Sequence, residues 1–188
     1  MDTDKYNLIR LAKSGDKIAL GKLIKNIQGE VYSMLYFLKK ETKDVSDLAQ
    51  EVLVKISRKI GQLKNPINFK NWLNQIIVNT YYDSLRKDNH KYNKHNFDKL
   101  IDENCLQIPD KKIDLQKNII DNEIDMIIKK SISSLPPRYK IPITHRELQG
   151  LSYEEISGIT KTTIGTVKSR ISRARAIIKN EIDKYNNS

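Results

Sequence analysis

The residues best suited to binding chemistry form a basic run near the C-terminus. Between Glu155 and Glu181 the sequence contains no acidic residue. The same stretch contains six basic residues, which are Lys161, Lys168, Arg170, Arg173, Arg175 and Lys179. One-sided positive charge of this kind suits the neutralisation of phosphate groups in nucleic acid. The alternative is a surface helix whose charge is incidental.

Helix signals around the basic run predict a helix-turn-helix. Ser152 and Glu155 have the spacing of a capping box, which starts a short helix at Tyr153. After a turn at residues 161–162, Thr163 is expected to cap a second helix. In a helix-turn-helix this second helix enters the major groove of DNA. Lys161 stands where a turn glycine is favoured, at a cost on the order of 1 kcal/mol.

Helical periodicity divides the second helix of this motif into two sides. The residues expected in the core are Ile164, Val167, Ile171 and Ala174. The residues expected to point outward are Lys168, Ser169, Ser172 and Arg173. Arginine and lysine hydrogen-bond to guanine edges, and serine is an adaptable partner. We therefore expect the outward side to contact DNA bases.

A predicted helix from about Ser46 to Ile60 has an acidic and amide face. At about 100° per residue, one side carries Asp47, Gln50, Glu51, Val54 and Arg58. The other side is apolar and carries Leu48, Val52, Ile56 and Ile60. Acidic and amide groups around an exposed valine suit a protein partner, although a solvated face has the same composition.

The next predicted helix, from about Phe69 to Lys87, combines an apolar stripe with an aromatic and polar face. The stripe comprises Phe69, Leu73, Ile76, Ile77 and Thr80. The adjacent face comprises Trp72, Asn79, Asp83 and Arg86. Aromatic rings stack on unpaired bases and basic groups hold the backbone, so this face suits single-stranded DNA. A half-buried core position is the alternative for Trp72.

The elements that must position these residues are helical throughout. The chain has 188 residues with only 7 Gly and 5 Pro, and apolar residues recur at three- and four-residue spacing. We predict an all-α fold with an N-terminal helical bundle at residues 1–90 and a C-terminal helix-turn-helix domain at residues 114–188. A flexible linker is expected at residues 91–113, where the sequence is polar and aperiodic. In the first domain, Asp16 is expected to cap the second helix.

The net charge of +11 favours a polyanionic partner, and its distribution follows the predicted domains. Residues 1–90 have 16 basic and 10 acidic residues, and residues 131–188 have 10 and 5. Residues 91–130 are balanced, with 8 of each. Two basic ends therefore flank a neutral middle.

The C-terminal residues resemble the promoter-binding domain of bacterial sigma factors of the extracytoplasmic-function (ECF, group 4) type, within the sigma-70 family. The similar strings are Leu-Pro-Pro-Arg-Tyr from Leu135, Arg-Glu-Leu-Gln-Gly-Leu-Ser-Tyr-Glu-Glu-Ile from Arg146, and Gly-Thr-Val-Lys-Ser-Arg-Ile from Gly165. The resemblance implies that this domain recognises the minus-thirty-five promoter element. The implied DNA-binding residues are Arg146, Thr166, Lys168, Ser169, Arg170, Ser172 and Arg173.

The N-terminal residues are similar to the same family. Asp-Leu-x-Gln-Glu at residues 47–51 matches the signature that contacts the clamp helices of the largest RNA polymerase subunit. This implies polymerase binding by Asp47, Leu48, Gln50 and Glu51. The Trp-Leu pair, the asparagine and Asp-x-x-Arg of the next helix imply promoter melting and minus-ten recognition by Trp72, Asn79, Asp83 and Arg86. The preceding loop implies a pocket for a flipped-out base, with Asn65 and Asn68 as its hydrogen-bonding groups.

The resemblance spans about residues 9–182 and implies a set of partners. These are core RNA polymerase, through its clamp helices and flap, promoter DNA, and a membrane-anchored anti-sigma factor in an envelope-stress response. It implies no cofactor and no small-molecule substrate.

Other classes of protein have less support in the sequence. No glycine-rich phosphate loop or metal-ligand motif is present, and Cys105 lacks a partner cysteine, so we expect neither an enzyme nor a metal site. No apolar run approaches the roughly 18 residues that span a bilayer, and we expect a cytoplasmic protein. A helix-turn-helix regulator that binds operator DNA without polymerase stays open.

Overall fold

A computed structural model describes residues 3–41, 43–92 and 119–186, and all regular structure in these ranges is helical. Short 3-10 turns at Ile60–Gln62 and Pro66–Asn68 connect α3 to α4. The helices are α1 (Thr3–Lys13), α2 (Lys17–Leu38), α3 (Lys43–Lys59), α4 (Phe69–Tyr92), α5 (Ile119–Ser134), α6 (Pro137–Gln149), α7 (Tyr153–Thr160) and α8 (Ile164–Asn186). The predicted all-α class is confirmed.

The N-terminal domain is a bundle in which α2 packs against α1, α3 and α4. Gly15 has a φ of 96° and ends α1, since this left-handed conformation suits glycine. The Asp16 carboxylate then accepts hydrogen bonds from the backbone N–H groups of Ile18 and Ala19, which confirms the predicted cap. Fully buried residues at helical spacing fill the bundle, among them Leu23, Ile27, Val31, Val52, Ile56, Leu73 and Ile77.

Short capping and turn motifs in the sequence set the helix ends of the C-terminal domain. Gly150, with a φ of 63°, ends α6, and Ser152 with Glu155 forms the predicted capping box at the start of α7. Lys161 adopts a φ of 53° in the turn, as its position requires. Thr163 accepts a hydrogen bond of 3.2 Å from the backbone N–H of Thr166 at the start of α8. These features form the predicted helix-turn-helix.

One expected core residue of α8 is exposed. Val167, Ile171 and Ala174 are buried as predicted, whereas Ile164 is 37% exposed. Ile164 is the first residue of α8, at the end of the apolar stripe that Val167 continues. Periodicity alone does not reveal where along a helix the core ends.

The two domains pack against each other in this structure. Helix α6 lies against α2, and α7 lies against α4. The Gln149 side chain donates to Glu30 at 3.2 Å, and the Lys70 amine donates to the Gln149 carbonyl at 3.2 Å. Buried apolar residues of both domains belong to one continuous cluster. The promoter-binding surfaces implied by the resemblance therefore lie close to the junction.

The predicted linker at residues 91–113 lies outside the described residues, except that residues 91–92 belong to the end of α4. The first residues of the predicted C-terminal domain, 114–118, also lie outside them. Cys105 and His95 fall in the same undescribed stretch.

Candidate nucleic-acid interface

Helix α8 presents the predicted base-contacting side chains to solvent. Lys168, Ser169, Ser172 and Arg173 are exposed, while Thr166 and Arg170 are half-buried. The Ser169 hydroxyl donates to the Thr166 carbonyl at 3.0 Å, so it is placed by its own helix. Lys168, Ser169, Ser172 and Arg173 thus lie on the solvent side of α8, and Thr166 and Arg170 lie at its border with the buried stripe of Val167, Ile171 and Ala174.

Arg173 is oriented by a residue from α6. A hydrogen bond from its guanidinium is the main reason that the pKa of Tyr139 lies below its usual value. Tyr139 itself is buried in the domain core, so its position is fixed by packing. Arg173 therefore lies at the surface beside a buried partner, which suits the base contact predicted for it.

The Tyr153 ring brings together two of the predicted DNA-binding residues, a role that the sequence analysis did not assign to it. The Arg146 guanidinium lies 4.9 Å from the centre of the Tyr153 ring, and the Lys168 amine lies 5.6 Å from it. Arg146 also donates to the Leu151 carbonyl at 2.7 Å. The ring brings charges from α6 and α8 together at the start of α7, an arrangement suited to phosphate.

Arg175 is less available to DNA than the basic run suggested. Its guanidinium pairs with Glu147 at 2.7 Å, and this hydrogen bond raises the pKa of Arg175. Because Glu147 lies in α6, this pair ties α6 to α8 near the basic surface. Part of the positive charge is thus neutralised within the domain.

The exposed face of α3 carries three of the four residues proposed to bind polymerase. Asp47 and Gln50 are exposed, and Val54 beside them is 39% exposed. Glu51 forms a salt bridge with the Lys55 amine at 2.9 Å. The hydrogen bond in this pair is the main cause of the lowered pKa of Glu51. Leu48 is only 5% exposed and packs in the core of the domain, so a role for it in polymerase binding stays a prediction.

Lys55 links the face of α3 to the polar face of α4, a connection that the sequence analysis missed. Besides Glu51, its amine contacts Asp83 at 3.6 Å and donates to the Thr80 hydroxyl at 3.2 Å. Asp83 also pairs with Arg86 at 3.0 Å. The residues proposed for polymerase binding and for promoter melting therefore adjoin one charge network.

Trp72 is half-buried at the start of α4. This agrees with the alternative of a half-buried core position, and part of the ring is still at the surface. Its ring centre lies 5.9 Å from that of the buried Phe69. Asn79 is exposed two turns further along. Asn79, Asp83 and Arg86 continue along α4 away from the loop that precedes it, so the face is an extended track rather than one pocket.

A cleft of about 520 Å³ opens beside Trp72, between the loop preceding α4 and helix α7. Its N-terminal wall includes Trp72, Asn65 and Asn68, so the structure brings these three predicted residues together. Its opposite wall includes Glu154 and Ile159 of α7. The side-chain oxygen of Asn65 accepts a hydrogen bond from the Ile67 N–H at 3.0 Å and shapes the loop.

The cleft has the chemistry of a nucleobase site on one side only. Amide groups and an indole ring match the edges and face of a base. The carboxylate of Glu154 on the opposite wall repels phosphate. The cleft in this arrangement is thus partly closed by the helix-turn-helix domain.

Among the residues that the structure describes, no group of three His, Cys, Asp or Glu side chains could hold a metal ion. His145 is buried, and its ring contacts the Ile141 carbonyl at 2.8 Å. Burial lowers the pKa of His145 to about 4. None of the described helices has the length and apolarity needed to cross a bilayer.

Comparisons with known proteins identify the family. The model of Sigma-70 region 2 matches residues 23–91, and that of Sigma-70, region 4 matches residues 125–178. The chain is 34% identical over 179 residues to the ECF RNA polymerase sigma-E factor of Haemophilus influenzae, covering 93% of each chain. It is 33% identical over 177 residues to that of Escherichia coli K12, covering 93% of this chain and 92% of the relative.

Two solved structures share the fold. One is the sigma factor RpoE in complex with the anti-sigma factor NepR from Bartonella quintana, with a TM-score of 0.67, 24% identity, and coverage of 87% of this chain and 96% of that one. The other is CnrH in complex with the cytosolic domain of CnrY, with a TM-score of 0.66, 18% identity, and coverage of 96% and 97%. With both sigma-70 regions matched and sigma-E relatives aligned over nearly the whole chain, the protein belongs to the extracytoplasmic-function sigma factors of the sigma-70 family.

Proposed function

We propose that this alternative sigma factor uses three separate surfaces during promoter-specific initiation. The exposed face of α3 binds the clamp helices of core RNA polymerase. The loop before α4 and the polar face of α4 recognise and open the minus-ten element. The outward side of α8 with Arg146 binds the minus-thirty-five element, in a domain that begins after a linker.

The observation that carries this proposal is the pairing of an acidic protein-docking face with a basic DNA-binding face on one chain. Asp47 and Gln50 are exposed on α3, where a negative face has no use in binding DNA. Arg173 and Lys168 are exposed on α8. A regulator that binds an operator alone needs only the second of these surfaces.

Run-off transcription with purified core polymerase tests the proposal. Core enzyme and this protein together should give discrete transcripts from a subset of genomic fragments, whereas either component alone should give none. A regulator without sigma activity would leave the transcript pattern of core enzyme unchanged, even if it bound the same fragments.

We also propose that an anti-sigma factor controls the protein. The support is that both solved relatives are held by protein partners, NepR in one case and the cytosolic domain of CnrY in the other. From the family resemblance of the sequence, we also propose a membrane-anchored inhibitor, an envelope-stress response and a place of action in the cytoplasm. Sigma factors act by binding and positioning, so no catalytic residue or cofactor is assigned.

Charge reversal on α3 should weaken polymerase binding. Glu51→Lys introduces repulsion where a carboxylate is proposed to meet a basic partner, and we expect the Kd for core enzyme to rise by about ten-fold or more. Fluorescence anisotropy of labelled protein measures this Kd. Asp4→Lys in α1 is the matched control, with the same charge change at an exposed site, and should bind normally. Equal affinity of both variants, with unchanged circular dichroism, would contradict the docking surface.

Two arginines of the C-terminal domain should differ in what they contribute to DNA binding. Arg173→Ala should cost about 1–3 kcal/mol at the cognate element and reduce discrimination among sequences, because a base contact is lost. Arg146→Ala should weaken all sequences alike, because the Tyr153 group contacts backbone phosphate. Competition binding of the holoenzyme to a set of single-base variants measures both effects. A uniform loss for Arg173→Ala would reassign it to phosphate.

The loop before α4 should act at strand opening and not at initial binding. Unpairing a base costs a few kcal/mol, and amide and aromatic groups repay this only on the opened strand. Combined Asn65→Ser and Asn68→Ala removes both amide groups without adding charge, while a serine hydroxyl at position 65 can still accept from the Ile67 N–H and keep the turn. We expect normal closed complexes but reduced permanganate reactivity of unpaired thymines.

A premelted template is the control for this loop variant. Transcription from a bubble that spans the minus-ten element should return to near the parental level. If the variant opens duplex promoters as fast as the parent, the base-binding role of the loop is wrong.

A further inference from the structure

Lys140 is a buried basic residue at the junction of the two domains. It lies in α6 and is 4% exposed. Its amine donates to the Leu38 carbonyl of α2 at 3.2 Å and to the Ser133 carbonyl of α5 at 2.6 Å. It also lies 3.4 Å from the Tyr81 hydroxyl of α4. One amine thus joins the C-terminal domain to two helices of the N-terminal domain.

The acceptors around Lys140 explain why a lysine fits there. Leu38 and Ser133 lie in the last turns of α2 and α5, where backbone carbonyls have no partner within their own helix. The negative ends of two helix dipoles therefore point toward one amine. The Leu38 and Tyr81 contacts exist only while the domains are packed together.

Burial of this amine has a protonation cost. Loss of hydration lowers the pKa of Lys140 to about 7, and repulsion by Lys40 and Lys39 adds to the effect. The pKa of a solvated lysine is near 10.4, so the pKa of Lys140 rises when the domains separate. The packed arrangement therefore binds fewer protons than the open one between these two values.

The surrounding charges have fixed partners. On the α2 side, Lys39 pairs with Asp88 of α4 at 3.2 Å and lies 3.9 Å from Asp44 of α3. On the α5 side, the Lys129 amine donates to the Lys40 carbonyl at 3.3 Å. Burial raises the pKa of Tyr81, so its hydroxyl stays neutral and supplies no negative charge near Lys140. Burial also lowers the pKa of Lys129.

We propose that Lys140 is a pH-sensitive contact that controls whether the two domains are packed together or apart. Proton linkage gives the direction of the pH dependence of domain packing. A group whose pKa is lowered in the packed state favours that state at high pH, and this effect is lost as the pH falls toward the lowered pKa. Acidification toward neutrality therefore favours the open state. Below about pH 7 the amine is protonated in both states, and the dependence ends.

Domain separation matters for the proposed function because packing covers the proposed DNA surfaces. Glu154 and Ile159 face Trp72 across the cleft. The Arg170 guanidinium of α8 lies near enough to Tyr82 of α4 for its charge to act on the pKa of that tyrosine. In the packed arrangement these α7 groups form the second wall of the cleft and so restrict access to Trp72, Asn65 and Asn68. This consequence rests on the proposed function, whereas the Lys140 contact itself does not.

Single-molecule energy transfer on the full chain tests the proposal without polymerase or DNA. Cys105→Ser removes the native thiol, and Lys59→Cys with Lys179→Cys, both at exposed positions, carry the two dyes. Between about pH 7 and 9 we expect the ratio of packed to open molecules to rise by up to about ten-fold per pH unit. Since the readout is a distance, failure of the sigma assignment would leave this result unchanged.

Substitutions assign the pH dependence to Lys140. Lys140→Met removes the titrating group and should abolish the slope, and Lys140→Arg, which stays charged, should abolish it as well. Lys70→Met is the matched control, because Lys70 also crosses the junction but is exposed, and it should keep the slope. A wild-type ratio independent of pH, or an equal slope in a folded Lys140 variant, would overturn the proposal.

Discussion

The burial of one apolar stripe on each helix is the constraint on which the other features depend. In α3, Val52 and Ile56 are fully buried, so the backbone must present Asp47, Gln50 and Val54 to solvent. In α8, Val167 and Ile171 have the same role for Lys168, Ser169 and Arg173. Each fully buried aliphatic side chain contributes about 1.5–3 kcal/mol, far more than an exposed ion pair. Hydrophobic packing therefore positions the charged faces, which are the surfaces proposed to bind polymerase and DNA.

Helix α4 departs from this simple division and occupies the centre of the molecule. It packs on α2 and α3 within its own domain and on α7 of the other. Its remaining surface carries Trp72 and Asp83, which adjoin the cleft and the Lys55 network. A helix that contacts both domains and also carries the proposed strand-opening groups links domain arrangement to DNA access. This arrangement supports a protein whose DNA surfaces become available when a larger partner separates the domains.

Local signals in the sequence predicted most of the fold, and long-range contacts account for what was missed. The Asp16 cap, the Ser152–Glu155 box and the turn at Lys161 each involve residues within a few positions of one another. The contacts of Lys140 with Leu38 and of Gln149 with Glu30 join residues more than 100 positions apart, and no local pattern encodes them. Leu48 shows the converse: a motif placed it among contact residues, although its position on the apolar stripe already favoured burial.

The central claim is that polymerase and this chain together recognise two promoter elements that the chain alone does not hold. Footprinting of one promoter fragment, selected by the reconstituted holoenzyme, tests this most directly. The account predicts simultaneous protection of the minus-thirty-five and minus-ten elements with core enzyme present, and no comparable protection by the free chain at the same concentration. Equal protection of duplex DNA by the free chain, unaffected by core enzyme, would contradict the account and favour an operator-binding regulator.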